Sequence, residues 1–447
     1  MNIHIIGIAG KTSAALAKML IDEGHIVTGS DQGCYPPMTD FLDEIGVSYQ
    51  TPYDEANMPD DTDELVVAGN ALIVNPNNPE YLKAKEMGLP IKSYPEVLGD
   101  FLIKDNSIVV VGNYGKGTVS GAFVKALTDL DKNPSYMVGG LLEDFTQNVV
   151  ASNSDWSVVE GDEYPVPPIG DSKPRSKFFY YKPKYVVLTS AEWDHFDKFP
   201  SEREYIENYV ELVKDLPQDG LLVANYDGEN VMEVVKHASC RVVTYSLINP
   251  HADYVADEIG FQPTLLGRFN LSNLTGAYAM LAELGFDNQR LLHSLNHYRG
   301  LKQRMTVLHE DENVVVVRDL AHSPIKAKSA VAAAKETWPN YRIVAVLDIY
   351  SSSLKNRNVL PRLSGSLSDA DLVLIPKVTL SKSLDENVRI TGKEIVDAVK
   401  ETQPNVKYLP KHDDLVAAIK SYPKPKVVLL MSSGSMQSIE EEILKEI

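Results

Sequence analysis

Cysteine is scarce: Cys34 and Cys240 are the two in 447 residues, and neither belongs to a C-x-x-C spacing. That excludes a redox dithiol pair and a cysteine zinc site, and leaves two unpaired thiols suited to a reducing compartment. Positive charge is also short, with 62 acidic residues against 43 basic ones and a formal net charge of -19. Such a balance disfavours broad contact with nucleic-acid phosphate or an anionic membrane, while leaving room for a local anion pocket. No apolar run approaches the roughly 20 residues of a membrane span. The opening MNIHIIGIAG enters a strand-like segment without a basic leader or a long apolar stretch. The expectation is a cytoplasmic protein without nucleic-acid or membrane partners, as a monomer or homodimer.

What is present is a folding composition, 44% hydrophobic and 23% charged. A length of 447 residues implies about three domains at roughly 150 residues each. Strand and helix patterns alternate from the start: Ile3 to Ile8 reads as a strand, Ser13 to Asp22 as a helix, Ile26 to Gly29 and Leu65 to Ala68 as strands. The pattern restarts after the polar stretch Lys104 to Asn106, with strands at Ser107 to Val111, Trp156 to Glu160 and Tyr185 to Leu188. It restarts again after Tyr298-Arg299-Gly300, with Val314 to Val317, Arg342 to Leu347, Leu372 to Ile375 and Val427 to Leu430. These breaks divide the chain into residues 1–104, 105–299 and 300–447, each an α/β unit of mostly parallel strands. Linkers near Asp105 and Arg299 are candidate hinges. A Rossmann oxidoreductase is disfavoured, because Gly7-Ile8-Ala9-Gly10-Lys11-Thr12 lacks the G-x-G-x-x-G spacing.

Three clusters follow apolar strands in the middle segment. Gly112-Asn113-Tyr114-Gly115-Lys116-Gly117-Thr118 is a glycine-containing loop that enters a helix, a geometry in which backbone amides point at phosphate and Lys116 neutralises it. It lacks the first glycine of the full G-x-x-x-x-G-K-[ST] pattern and carries Gly117 in place of the hydroxyl residue. A plain tight βα turn is the competing reading. Glu160-Gly161-Asp162-Glu163 and Glu192-Trp193-Asp194-His195-Phe196-Asp197 add carboxylates and an imidazole, donors that suit a hard divalent cation beside phosphates.

This order of motifs resembles that of the Mur ligases: a phosphate loop, an E-A-D-E-like segment and a D-H-x-D segment, here ending at Asp194 to Asp197. Gly267-Arg268-Phe269-Asn270 is similar to the family's adenine-side motif, with Phe269 replacing His. Gly300 to Arg304 resembles the hinge, and Asp319-Leu320-Ala321-His322-Ser323-Pro324 resembles D-x-A-H-x-P of the third domain. Tyr35-Pro36-Pro37-Met38, Gly69-Asn70-Ala71, Arg175 to Phe178 and Met431 to Gly434 look like the branch that ligates murein peptides.

The resemblance implies a three-domain architecture: a Rossmann-like domain for a UDP-sugar, a central P-loop-type ATPase domain and a Rossmann-like C-terminal domain for the incoming peptide or amino acid. It implies an ATP- and Mg²⁺-dependent ligase that phosphorylates the carboxylate of UDP-N-acetylmuramate. An amine then attacks, here of L-alanyl-γ-D-glutamyl-diaminopimelate or a similar peptide, in peptidoglycan recycling. By match, Lys116, Glu160 and His195 are catalytic, and Thr118, Glu160 and His195 hold the metal. ATP would meet Gly112, Asn113, Tyr114, Gly115, Lys116, Gly117, Thr118, Asn270, Arg304, Asp319 and His322. The UDP-sugar would meet Gly7, Ile8, Ala9, Gly10, Lys11, Ser30 and Asp31, although Lys11 departs from the family's small residues there. Two alternatives stay open: a UDP-N-acetylmuramate–L-alanine ligase, and a non-catalytic homologue that binds nucleotide or UDP-sugar through an altered loop.

Overall fold

The computed structural model describes residues 1–36, 38–69, 71–166, 169, 174–196, 198–351, 353–379 and 386–445. Pro37, Asn70 and Asp197, which belong to motifs quoted above, lie outside them.

Runs rich in Val, Ile and Leu form strands buried along nearly their whole length, as parallel strands covered on both faces require. The first sheet holds β1 (Asn2–Ile6), β2 (Ile26–Ser30), β3 (Ser48–Gln50), β4 (Glu64–Val67) and β5 (Ile91–Ser93). Its order is β3-β2-β1-β4-β5, all parallel. Strand β1 ends at Ile6 rather than Ile8 because Gly7 turns the chain at φ +84°. The following helix, Lys11–Asp22, begins earlier than its apolar pattern suggests, with Gly10 at its N-cap.

The second sheet comprises β6 (Asn106–Val111), β7 (Ser135–Met137), β8 (Val149–Val150), β9 (Trp156–Glu160), β10 (Tyr185–Leu188), β11 (Leu221–Asn225), β12 (Arg241–Ser246) and β13 (Tyr254–Val255). Their order is β13-β12-β11-β10-β6-β9-β7-β8, with β7 and β8 antiparallel. Strand β6 therefore lies between β10 and β9, so the three motif loops leave adjacent strands at one sheet edge, the usual ligand edge of an open α/β sheet.

In the third sheet, β14 (Thr306–Glu310), β15 (Val314–Asp319), β16 (Arg342–Leu347), β17 (Leu372–Ile375), β18 (Val406–Tyr408) and β19 (Lys426–Met431) run in the order β14-β15-β19-β16-β17-β18. Strand β14 alone of these is antiparallel to its neighbour. Register brings Asp319, Met431 and Leu347 side by side at the carboxyl edge, so the loops after β15, β19 and β16 open together.

Packing joins the first two domains. One hydrophobic cluster runs from Ile3, Leu16 and Leu98 to Val109, Phe178 and Tyr209 without a break. The third domain has its own clusters, into one of which the central domain inserts Phe196. Among the described residues no helix is long and apolar enough to cross a membrane.

Candidate functional site

The phosphate loop leaves β6 with Gly112 at φ +127° and closes with Gly115 at φ +79°, the N-cap of the helix Lys116–Asp129. Both positions need glycine. A Cβ on Gly112 would collide with the Thr189 hydroxyl and lie 2.8 Å from the Ser190 backbone, and one on Gly115 would collide with the Asn273 amide. The Thr189 hydroxyl donates to the Tyr114 carbonyl at 2.5 Å, tying the loop to the end of β10. No acidic side chain stands in the first helical turn and no side chain caps it. Its leading amides are thus available to an anion.

Lys116 donates to the Gly112 carbonyl at 2.5 Å and to Glu163 Oε2 at 2.6 Å. Glu163 is buried, and its other oxygen meets His195 Nε2 at 3.2 Å and accepts from the Tyr205 hydroxyl at 3.4 Å. Burial alone would raise the Glu163 carboxyl, but Lys116 and His195 outweigh it and hold it below the usual range. Burial lowers the His195 pKa in turn, and the carboxylates of Glu163 and Asp194 overcompensate and carry it above the usual imidazole value. His195 sits at φ +54°, flanked by Trp193 and Phe196, whose rings meet edge to face. Asp162 pairs with Lys177 at 2.5 Å.

One ligand atom each from Asp162, Glu163 and His195 lies within 4.8 Å of the others. Two carboxylates and an imidazole fit a hard divalent cation. The sequence pointed instead to Glu160 as the partner of His195. Here Glu160 Oε2 accepts the Gly139 amide at 2.8 Å and lies 3.2 Å from where a Cβ on Gly117 would stand. A carboxylate thus occupies the direction in which a hydroxyl side chain at Gly117 would project. Glu160, Thr118 and His195 all line the same cavity.

That cavity, of about 710 Å³, lies between the central and third domains. From the central domain, Asn113, Tyr114, Gly115, Lys116, Gly117 and Thr118 line it with Asn270 and Asn273, and from the far side come Arg304, Asp319, His322 and Lys326. Asn270 donates to the Leu266 carbonyl at 2.8 Å and accepts from Asn273 at 3.1 Å, a short amide chain at the base of the helix Arg268–Glu283. Asp319 is spent on backbone, accepting the Met305 and Ala321 amides at 2.9 and 2.7 Å. It pins the segment after Gly300 to the end of β15.

A second cleft of about 860 Å³ is lined by all three domains: Lys11, Thr12 and Lys18, then Gly139 to Leu141, then Tyr350 and Ser432 to Gln437. Arg304, Asp319 and His322 face both spaces. The structure brings Lys11 to this cleft but uses the amides before it within the loop. Gly7 and Ile8 donate to the Ser30 carbonyl at 2.8 and 3.1 Å, Ala9 donates to Asp31 at 3.0 Å, and Gly10 donates to Gly7 at 3.4 Å. Ser30 donates its hydroxyl to the buried Glu80 carboxylate. These residues brace the turn, and the free amides are those that open the helix at Lys11.

Sequence reasoning missed the contacts that cross between domains. Ser353 donates to Asp194 at 2.7 Å, and Arg362 faces Glu192 at 3.0 Å, Glu202 at 3.5 Å and Glu229 at 3.8 Å. Lys326 was missed as well: it lies in the first turn of the helix Pro324–Thr337, just past the D-x-A-H-x-P stretch, and its ammonium meets the His322 ring at 3.2 Å.

The domains match known families in the same order. Residues 2–105 match the Mur ligase family, catalytic domain; residues 169–281 match the Mur ligase middle domain; and residues 303–434 match the Mur ligase, glutamate ligase domain. A UDP-N-acetylmuramate–L-alanine ligase of Caldanaerobacter subterraneus is 27% identical, covering 100% of this chain and 97% of that protein. Among solved structures, a murein peptide ligase of Psychrobacter arcticus aligns with TM-score 0.70 and 23% identity over 100% of this chain and 98% of its own. The UDP-N-acetylmuramate-alanine ligase MurC of Thermotoga maritima aligns with TM-score 0.73 and 21% identity over 100% and 99%. With all three domains matched in sequence around this phosphate loop, the chain belongs to the Mur ligase family of ATP-dependent amide ligases.

Proposed function

We propose that the chain activates the carboxylate of UDP-N-acetylmuramate with ATP and joins it to the amine of a peptide such as L-alanyl-γ-D-glutamyl-diaminopimelate. The observation that carries this reading is the shared cavity. The phosphate loop, the Asp162–Glu163–His195 group and the third domain's His322 and Lys326 open into one space, beside a cleft lined by all three domains.

The donor set fits Mg²⁺, and the glycine cradle with its helix-opening amides fits a triphosphate. Asp162, Glu163 and His195 would hold the cation, which would supply positive charge against the negative charge of the phosphates. Everything else is work for protein groups. Lys116, oriented by Gly112 and Glu163, sets a positive charge where charge develops on the transferring phosphoryl group. Glu163 fixes Lys116 and His195 relative to each other. The helix start at Lys11 offers amides and an ammonium to the diphosphate of the nucleotide sugar, across the cleft from Ser432 to Gln437. Docking of the third domain shields the acyl phosphate from water until the amine attacks.

The intact Lys116–Glu163–His195 network supports an active enzyme over a non-catalytic homologue. For the amine, the sequence motifs that resemble the peptide-ligating branch, among them Arg175 to Phe178 and Met431 to Gly434, support a peptide. A second reading, L-alanine as the amine, is favoured by the 27% identity to an L-alanine ligase over the full chain. Phosphate release from ATP and Mg²⁺ with UDP-N-acetylmuramate, measured with the tripeptide, with L-alanine or with neither, separates these readings. Release with the tripeptide and its loss in Lys116→Ala are expected. Release with L-alanine alone would assign the second reading, and silence despite binding of the nucleotide sugar would mean a non-catalytic protein.

A further inference from the structure

Lys326 projects from the third-domain helix Pro324–Thr337 into the cavity that Lys116 enters from the central domain. Its ammonium meets the His322 ring at 3.2 Å, and among the described residues no carboxylate lies within 4.0 Å of it. His322 donates from Nδ1 to the Leu320 carbonyl at 2.7 Å, so its Nε2 is the acceptor for Lys326. Lys326 above all, then burial and Arg304, hold that ring neutral, with its pKa lowered to about 3. Three N–H donors thus have one neutral acceptor, and burial, joined by the like charges of Lys116 and Arg304, lowers the Lys326 pKa against the more distant pull of Asp194 and Glu163. Lys116, by contrast, has Glu163. An anion between these groups would take up the spare donors and relieve the repulsion.

We propose that Lys326 is a second lysine of the phosphate pocket, binding the terminal phosphate of the nucleotide from the third domain, with His322 as its positioning residue. The proposal rests on the reading of this cavity as the ATP site. It makes the terminal phosphate a bridge between domains, so that ATP favours the docked arrangement more than ADP does.

The test titrates the full chain with the magnesium complexes of adenylyl imidodiphosphate and of ADP, in wild type, Lys326→Ala and Lys326→Arg. Loss of a charge-assisted contact should weaken the triphosphate analogue roughly 10- to 100-fold in Lys326→Ala while leaving ADP nearly unchanged. Lys326→Arg should keep most of the preference. Equal weakening of both nucleotides, or of neither, would overturn the role of Lys326 while leaving the ATP site in place. Failure of wild type to bind either nucleotide would remove the site and the proposal together.

Discussion

Arg362 ties the third domain to three carboxylates of the central domain. Its guanidinium is 25% exposed and faces Glu192, 12% exposed, at 3.0 Å, with the more open Glu202 and Glu229 further off. Burial, joined by Glu229, pushes the Glu192 carboxyl above its usual range, and Arg362 offsets part of that rise. Arg362→Ala therefore leaves a partly buried carboxylate without its counter-ion. An exposed pair contributes about 0.2–1 kcal/mol and a broken buried pair costs about 3–5 kcal/mol, so this half-buried cluster should cost about 1–3 kcal/mol. If the cost falls on docking, kcat/KM drops roughly 5- to 150-fold. The sign with pH is fixed too. An acid whose pKa is raised in the folded state favours that state at low pH and loses the advantage as pH rises through that pKa. The deficit of Arg362→Ala should thus be largest at neutral pH and shrink as Glu192 is protonated. Steady-state ligation at pH 5 to 8, with small-angle scattering to report domain separation, measures both. An unchanged kcat/KM with unchanged scattering, or a deficit that grows as pH falls, would refute the argument.

Gly112→Ala forces a Cβ at φ +127° into Thr189 and the Ser190 backbone. It should destabilise the central domain by about 1–3 kcal/mol and abolish nucleotide binding, as seen by thermal melts with and without ATP. Glu80 is fully buried, accepting from His4 at 3.1 Å, the Asp54 amide at 3.1 Å, Asn57 at 3.0 Å and Ser30. Although burial acts to raise its carboxyl, these donors hold it below its usual value. Its stabilisation is present above the ordinary Glu pKa of about 4.3 and is lost as pH falls through the lower folded value. Glu80→Gln should therefore cost about 1–3 kcal/mol in urea unfolding at pH 7 and progressively less in acid. In Lys116→Ala, phosphate release should fall roughly 10²- to 10³-fold while UDP-N-acetylmuramate still binds, which isothermal titration beside the release assay resolves.

The central strands were legible because burial on both faces writes a continuous apolar run: Ser107 to Val111 and Tyr185 to Leu188 lie in β6 and β10. Edge strands were not, because half their side chains face water. Strand β14, with mixed burial along Thr306–Glu310, left no such run, and β8 at the other edge and its buried neighbour β7 are too short to write one. The order of the motifs could be read because each follows its own strand, and sheet order then makes them neighbours. What could not be read was which carboxylate faces which cation. Glu160 and Glu163 stand three residues apart, and only the fold sends one to Gly139 and the other to Lys116 and His195. Likewise Ser353 finds Asp194 across 159 residues of chain, a partnership that no local pattern encodes.

The unbroken core shared by the first two domains limits how this molecule can work as a machine. A close-packed interior does not bend, so rotation near Asp105 would have to tear Leu98 and Leu102 away from Phe178 and Tyr181. Turning at Gly300, at φ +84°, meets a smaller apolar contact, in which Phe196, Trp193, Leu266 and Phe269 pack against the third domain's core, beside polar contacts such as Ser353 with Asp194. The first two domains are in that sense a single packed bed, and the third, with clusters of its own, is joined to it by a smaller contact.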